Sequence, residues 1–555
     1  MDARTPKQLA AVFLLGFLSL PLAIAKSSLG ESVFPPRPKL VVLLVVDQMR
    51  SDTLTRFEPL LGPRGYRTLM KGGAYFPFAM HEIMHSMTGP GHAALLTGAY
   101  PSLTGIPSNV WYNRDRRTKE YCVEDPKDGI SPRNLRVTTI GDELKSAGFQ
   151  KSRVISIALK DRAAVLMGGH RADRALWFDG DAFGWRTSAF YEPGAKVPDY
   201  AARVNARLAT EKGKALRWEP SESQPYALTH VGAKPLPDER NAGRIGAAFP
   251  HGSQIGNKNA VNLPLGIELT AELAELALTE ERLGARSEEP DLLTVSFSSH
   301  DYLAHGFGPT SRELEELIRV EDRAIARLLD RIEKQVPGGL KSTLIVMTGD
   351  HGGPHHPDLL AGAKVPAGRI DENELRELLN RKLDEKWGAP SEHRSWIPYL
   401  YDFSLTLDPS VLSAKRIARP EIEEYLRTEI LRTPGVANVV TRSDMEARKL
   451  PIGLSGLTES QFWRTMTRDR SGDLVIVPFP QFASAEATVD HVTGYSYDRH
   501  VPLIFMGAGI RPGVRHTHAL ISAIAPTLAA MLRITPPSGS EGKPLTEILP
   551  GAAHP

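Results

Sequence analysis

Five short, continuously apolar runs constrain this chain most: Lys39–Val46 (KLVVLLVV), Arg153–Ile157 (RVISI), Asp291–Phe297 (DLLTVSF), Ser342–Met347 (STLIVM) and Val501–Met506 (VPLIFM). A strand with one wet face alternates polar and apolar residues. A run without that alternation suits a strand covered on both faces, as in a parallel sheet. Amphipathic helical patterns lie between the runs, at Leu265–Gly284, Ser311–Val336 and Ala519–Ile534. Strands alternating with helices predict an α/β fold whose mostly parallel central sheet is flanked by helices.

Two long intervals break the alternation. Residues from about 170 to 262 carry aromatic, Gly and polar stretches with little periodicity. Residues from about 354 to 490 carry helical patterns such as Asp371–Trp387 and Pro420–Arg432. Both read as insertions that build a cap or rim over the edge of the sheet. The 555 residues then divide into a leader over residues 1–25 and one catalytic-sized domain over residues 26–555.

The leader rests on Arg4 and Lys7, the apolar run Leu9–Ala25 and its small-residue end Ala23-Ile24-Ala25. That pattern predicts a secretory signal peptide cut after Ala25. Pro21 and the shortness of the run disfavour a permanent anchor, so no stable membrane anchor is expected after cleavage. Cys122 is the single cysteine. It excludes an intramolecular disulfide, and a thiolate-rich metal site with it. An exported chain without disulfides points to a periplasmic or secreted protein. Lys and Arg number 67 against 65 Asp and Glu, so charge indicates no nucleic-acid partner. Oligomeric state is not encoded in any pattern of this kind.

Polar residues follow the apolar runs closely. Asp47 follows the first, Lys160 and Arg162 the second, Asp301 and His305 the third, Asp350 and His351 the fourth. Ligands of open α/β sheets bind outside the carboxyl ends of the strands, so four such ends predict one convergent site. Mixed carboxylate and imidazole donors suit zinc better than calcium or magnesium. Asp47, Asp301, His305, Asp350 and His351 are too many for one tetrahedral ion and fit two. Paired metals are a known device for phosphoryl transfer. Lys160-x-Arg162, read as strand-like, would point both cations the same way. Met87-Thr88-Gly89-Pro90-Gly91-His92 precedes a helical run, which puts Thr88 at a helix N-terminus suited to an anion. A plain threonine cap is the other reading, and this motif alone leaves both open.

Six segments in order resemble the alkaline phosphatase superfamily: LLVVDQMRSD, MTGPGHAALLTGAYPSLTGIPSNVWYNR, ALKDRAAVLMGGH, SSHDYLAHGFGP, TGDHGG and YDRHVPLIFMGAGI. More narrowly they are similar to bacterial phosphate-irrepressible alkaline phosphatases with a threonine nucleophile. The resemblance implies one zinc on Asp47, Asp350 and His351 that also engages and activates Thr88. It implies a second zinc on Asp301, His305 and His491, with His500 the alternative to His491. It implies that Asn109, Lys160, Arg162 and the Gly89 amide hold phosphoryl oxygens, and that Thr88 becomes a phosphothreonine. The expected substrates are small phosphate esters. Diesterases of this superfamily generally lack the Lys160–Arg162 pair, which favours monoesters with side activity on diesters. A phosphodiesterase or nucleotide pyrophosphatase is the nearer alternative, and a non-catalytic cell-envelope binding protein the more distant one. A sulfatase would need Cys or Ser in a Cys/Ser-x-Pro-x-Arg setting, which neither Thr88 nor Cys122 offers.

Overall fold

A computed structural model describes residues 37–221, 245–391, 393–451, 453, 457–485 and 488–549. The expected leader and its cleavage point lie outside the described residues. Ten strands form the central sheet: β1 (Leu40–Val46), β2 (Gly73–Met80), β3 (Val154–Ala158), β4 (Arg174–Asp179), β5 (Gly184–Arg186), β6 (Asp291–Phe297), β7 (Thr343–Thr348), β8 (His500–Gly507), β9 (Gly513–Val514) and β10 (Ala519–Leu520). Their order is β9-β2-β8-β7-β1-β6-β3-β4-β5, with β10 also paired to β2. The block β7-β1-β6-β3-β4 is parallel. β8 is antiparallel to both of its neighbours, and β5 is antiparallel to β4.

All five apolar runs are strands of this sheet, and β1 shows why they do not alternate. Leu40, Val42, Leu44 and Val46 enter one core with helices Pro264–Glu280 and Arg312–Gln335. Val41, Leu43 and Val45 enter another with Leu95, Leu96 and helix Ile524–Leu532. Successive side chains leave opposite faces, and both faces are covered. Helix Arg312–Gln335 starts where Ser311 Oγ accepts the Leu314 amide at 3.2 Å, an N-cap that supplies one of the unpaired first-turn amides with a partner.

The interval from 170 to 262 is not wholly outside the sheet, because it opens with β4 and β5. The apolar centre of β4, Ala175–Phe178, is short and lies between charged ends, so it does not stand out in sequence. Beyond Arg186 come helix Asp199–Thr210 and the antiparallel pair Ala215–Trp218 and His251–Gln254. The interval from 354 to 490 carries its own four-stranded sheet, in the order Tyr399–Tyr401, Ser404–Thr406, Leu474–Pro478, Val436–Thr441. Helices Glu372–Trp387 and Arg419–Ile430 pack on it. Met87 and Val492 belong to the same apolar core. These are the chain neighbours of Thr88 and His491, so this segment rests directly on Thr88 and His491. Among the described residues no helix is long and apolar enough to cross a membrane.

Candidate metal centre and nucleophile

The parallel strands deliver the site. Asp47 leaves the end of β1, Lys160 the end of β3, and Asp350 and His351 the end of β7. Asp301 and His305 sit one turn apart on helix Ser299–Phe307, which follows β6, with His305 Nε2 3.3 Å from Asp301 Oδ1. His491 arrives on the loop before β8, its Nε2 3.2 Å from His305 Nε2 and 3.6 Å from Asp301 Oδ1. His500 is not part of this cluster. It opens β8 and meets the Pro77 carbonyl at 2.6 Å.

Thr88 is the first residue of the buried helix Thr88–Thr97. The cap position is Met87, in extended conformation and without a side-chain cap. Thr88 is therefore not a capping threonine. Its buried Oγ1 receives Lys160 Nζ at 3.2 Å and Arg162 at 3.4 Å. Both cations reach Thr88, but not by strand periodicity. Lys160 is the N-cap of helix Asp161–Gly168 and Arg162 lies in its first turn. Arg162 also donates to Tyr121 Oη at 3.3 Å, and Tyr121 donates to Asp161 at 2.5 Å. That chain of contacts fixes the guanidinium. The Gly89 amide is not free for a phosphoryl oxygen, because it donates to Asn109 Oδ1 at 2.7 Å. This bond orients Asn109 and leaves its amino group as the available donor.

Three further contributors carry no assigned role in the sequence reading. His92, one turn after Thr88, places Nδ1 3.0 Å from Asp350 Oδ2 and Nε2 2.9 Å from Ser296 Oγ. The Gln48 amide donates to Asp350 Oδ1 at 3.0 Å. Asp490 groups with His305 and His491 as a possible ligand set. His92 was legible in principle, since an i,i+4 partner shares the face of Thr88; the other two depend on tertiary contact.

The helix carrying Thr88 also touches a candidate metal ligand directly. A Cβ added to Gly91 would lie 2.3 Å from the Asp350 carbonyl oxygen, so glycine permits the approach. Gly91→Ala should push the helix away from Asp350 and lower turnover about 100-fold, the scale of a 1 Å misplacement. Steady-state kinetics on a protein with unchanged far-UV circular dichroism checks this.

The donor chemistry fits metal ions. Asp47, Asp301 and Asp350 are buried, and Lys160 is the permanent cation paired among them, 2.7 Å from Asp47 Oδ2 and 2.6 Å from Asp301 Oδ2. Negative charge is left over in a dry place, an arrangement that needs a cation. Burial and the Asp350 carboxylate push Asp47 well above the usual carboxylate range. Although burial acts the other way, Lys160 and His305 hold Asp301 well below that range. Both Asp47 oxygens, Asp301 Oδ1, Asp350 Oδ2 and His351 Nε2 are buried without a hydrogen-bond partner. Lys160 at Asp47, His305 at Asp301 Oδ1 and His92 at Asp350 Oδ2 stand at ion-pair distance but outside hydrogen-bond geometry, and His92 Nδ1 instead bonds the Thr88 carbonyl at 2.9 Å. Each imidazole gives Nδ1 to a backbone carbonyl: His305 to Val489 at 2.7 Å, His351 to Gly352 at 2.9 Å, His491 to Ser86 at 2.5 Å. A donating Nδ1–H leaves the Nε2 lone pair inward, as metal-binding histidines require. The candidate ligand groups are Asp47, Asp350 and His351; Asp301, His351 and His491; and His305, Asp490 and His491. They share His351 and His491, so the donors form one continuous field. Although burial opposes it, the Asp301 carboxylate raises His491 to about 9. A proton competes with a metal at that nitrogen, so occupancy there falls on acidification.

Residues 41–495 match the type I phosphodiesterase / nucleotide pyrophosphatase family. The chain is 30% identical to alkaline phosphatase PafA of Elizabethkingia meningoseptica, over 93% of this chain and 95% of that protein. It is 31% identical to alkaline phosphatase PhoV of Synechococcus elongatus, over 94% and 96%. The crystal structure of wild-type PafA superimposes with a TM-score of 0.81 at 29% identity, covering 93% of this chain and 99% of that one. With its large mixed sheet, its strand-end donors and a threonine opening a buried helix, the chain belongs to the alkaline phosphatase superfamily, within the type I phosphodiesterase / nucleotide pyrophosphatase family.

Proposed function

We propose that this chain is an exported, periplasmic or secreted phosphomonoesterase that works through a phosphothreonine at Thr88 and holds two zinc ions. The observation that carries the reading is the convergence of Lys160 and Arg162 on Thr88 Oγ1 beside the donor field. Its relatives PafA and PhoV are named alkaline phosphatases, which agrees with it. Asp47, Asp350 and His351 would hold one ion, and Asp301, His305 and His491 the other. Bound zinc supplies Lewis-acid charge at the attacking and leaving oxygens.

The chain's own groups do the rest. Two cations within hydrogen-bond reach of Thr88 Oγ1 favour its deprotonated form. The oxygen attacks phosphorus, the P–O bond to the leaving alcohol breaks, and phosphate is left on Thr88. Water then cleaves that ester and releases inorganic phosphate. Arg162, Lys160 and the amino group of Asn109 face the phosphoryl oxygens as charge spreads over them. Asn109 is held for this by Gly89, and Arg162 by Tyr121.

The same groups set specificity. A monoester carries nearly two negative charges near neutral pH, and a guanidinium beside an ammonium matches that dianion. A diester carries one charge and fills one oxygen position with a substituent. Arg162→Ala should therefore lower kcat/KM for a monoester by about 10- to 100-fold, the scale of one charged hydrogen bond. The loss for a diester with the same leaving group should be several times smaller. Equal losses would undo the monoester assignment. Diester hydrolysis is the second reading, and the family match to phosphodiesterases favours keeping it as a side activity. A non-catalytic binding role would leave the intact nucleophile and donor set without use.

A further inference from the structure

The antiparallel strands Val110–Asn113 and Thr118–Tyr121 begin directly after Asn109. Between this hairpin and the cap lies a cavity of about 520 Å³, within the size range of small-molecule sites. None of Thr88, Asn109, Lys160, Arg162 or the candidate metal ligands lines it. Its deeper wall holds Trp111, Arg114, Arg442 and Arg470, and its exposed rim holds Arg116, Arg133 and Arg468.

Four carboxylates line the same wall; Asp115 is exposed and makes no ion pair among the described residues, and the other three are engaged. Asp473 pairs with Arg114 at 3.1 Å and Arg442 at 3.0 Å, and accepts the Leu407 amide at 2.8 Å. Asp469 pairs with Arg136, which does not line the cavity. Glu120 accepts from Asn113 at 2.6 Å. Several guanidinium groups are left without a close carboxylate. Arg116 and Arg468 make no ion pair among the described residues. Arg470 lies over the Trp111 ring at 4.8 Å, donates to the carbonyls of Gly105 and Asn134, and meets Asp469 only at 3.9 Å. Arg133 meets Asp125 only at 3.8 Å. Burial, with the guanidinium groups of Arg114 and Arg419, presses Arg442 below its ordinary range. Burial, with Arg136 and Arg133, does the same to Arg470. Cations gathered against their mutual repulsion favour an anion among them, and planar forks suit phosphate oxygens.

We infer that this cavity binds a phosphate oxyanion, free or as the phosphoryl group of a small ester, at a site separate from Thr88. The hairpin joins the two places: Asn109 precedes it, and Tyr121 at its end holds Arg162.

The test is equilibrium dialysis of the zinc-loaded Thr88→Ala protein against radiolabelled inorganic phosphate, in which turnover cannot consume an added ester. Adding Arg116→Ser, Arg133→Ser and Arg468→Ser should weaken one component of binding more than tenfold. These side chains are exposed, so the fold should be untouched. Adding Asn109→Ala and Arg162→Ala instead should leave that component in place. Unlabelled glycerol 3-phosphate should displace the same component, at lower concentration than phosphate if an ester is the occupant and at higher if the free ion is. Phosphate binding unchanged by the three rim substitutions would overturn the site. So would complete loss of binding on substituting Asn109 and Arg162, because all phosphate would then bind at Thr88.

Discussion

Thr88→Ala should lower turnover of a phosphate monoester by roughly three orders of magnitude or more, as removal of a covalent nucleophile does, while leaving the metal content unchanged. The two halves of this result belong together. Thr88 contributes no carboxylate or imidazole to the donor groups, so Asp47, Asp350 and His351 keep their arrangement without it. Its hydroxyl is the group on which Lys160 and Arg162 converge, and alanine removes the oxygen that would attack. Thr88→Ser keeps that oxygen and should retain far more activity than Thr88→Ala. Steady-state kinetics alongside metal analysis of the same samples checks both halves. Wild-type turnover in the alanine variant would mean that water attacks phosphorus directly and that Thr88 only shapes the site.

Stripping metal should have a comparable effect. Chelation should reduce activity below about 1% of the loaded protein, since stabilisation of developing charge by metals is worth several kcal/mol. Zinc should restore activity, and analysis of the restored protein should find about two ions per chain, as a two-metal site requires. Calcium should not restore it, because imidazole donors suit it poorly. The stripped protein should also melt at a lower temperature than the loaded one. Asp47, Asp301 and Asp350 would then share a buried space with Lys160 as their permanent counter-charge. A single tightly held calcium ion, with full activity, would contradict the ligand argument.

Much of this architecture is legible in sequence because burial on both faces leaves a simple trace. Lys39–Val46 reads as a doubly covered strand, and β1 is one. Strand direction leaves no such trace: Val501–Met506 looks like the parallel strands, yet β8 runs antiparallel. Periodicity is the same read in either direction, and only the connection fixes the sense. β4 escapes because its apolar stretch is short and flanked by Arg174 and Asp179. Within the site, residues attached to strand ends are readable, since the sheet itself brings Asp47, Lys160 and Asp350 together. What depends on one loop meeting another is not. The Gly89–Asn109 bond, the Gln48–Asp350 bond and the backbone carbonyls of Ser86 and Val489 that turn the imidazoles inward all join distant segments. The role of the Gly89 amide changes for that reason, from a phosphate donor to the anchor of Asn109.

The chemical form of the substrate is what Lys160, Arg162 and Asn109 most directly discriminate. Rates on a phosphate monoester and a phosphate diester with the same leaving group, measured on the zinc-loaded protein, isolate the charge and the free oxygens that Lys160, Arg162 and Asn109 are placed to recognise. The prediction is a kcat/KM for the monoester at least about 100-fold above that for the diester, as two or more charged contacts imply. A diester rate equal to or greater than the monoester rate would contradict it.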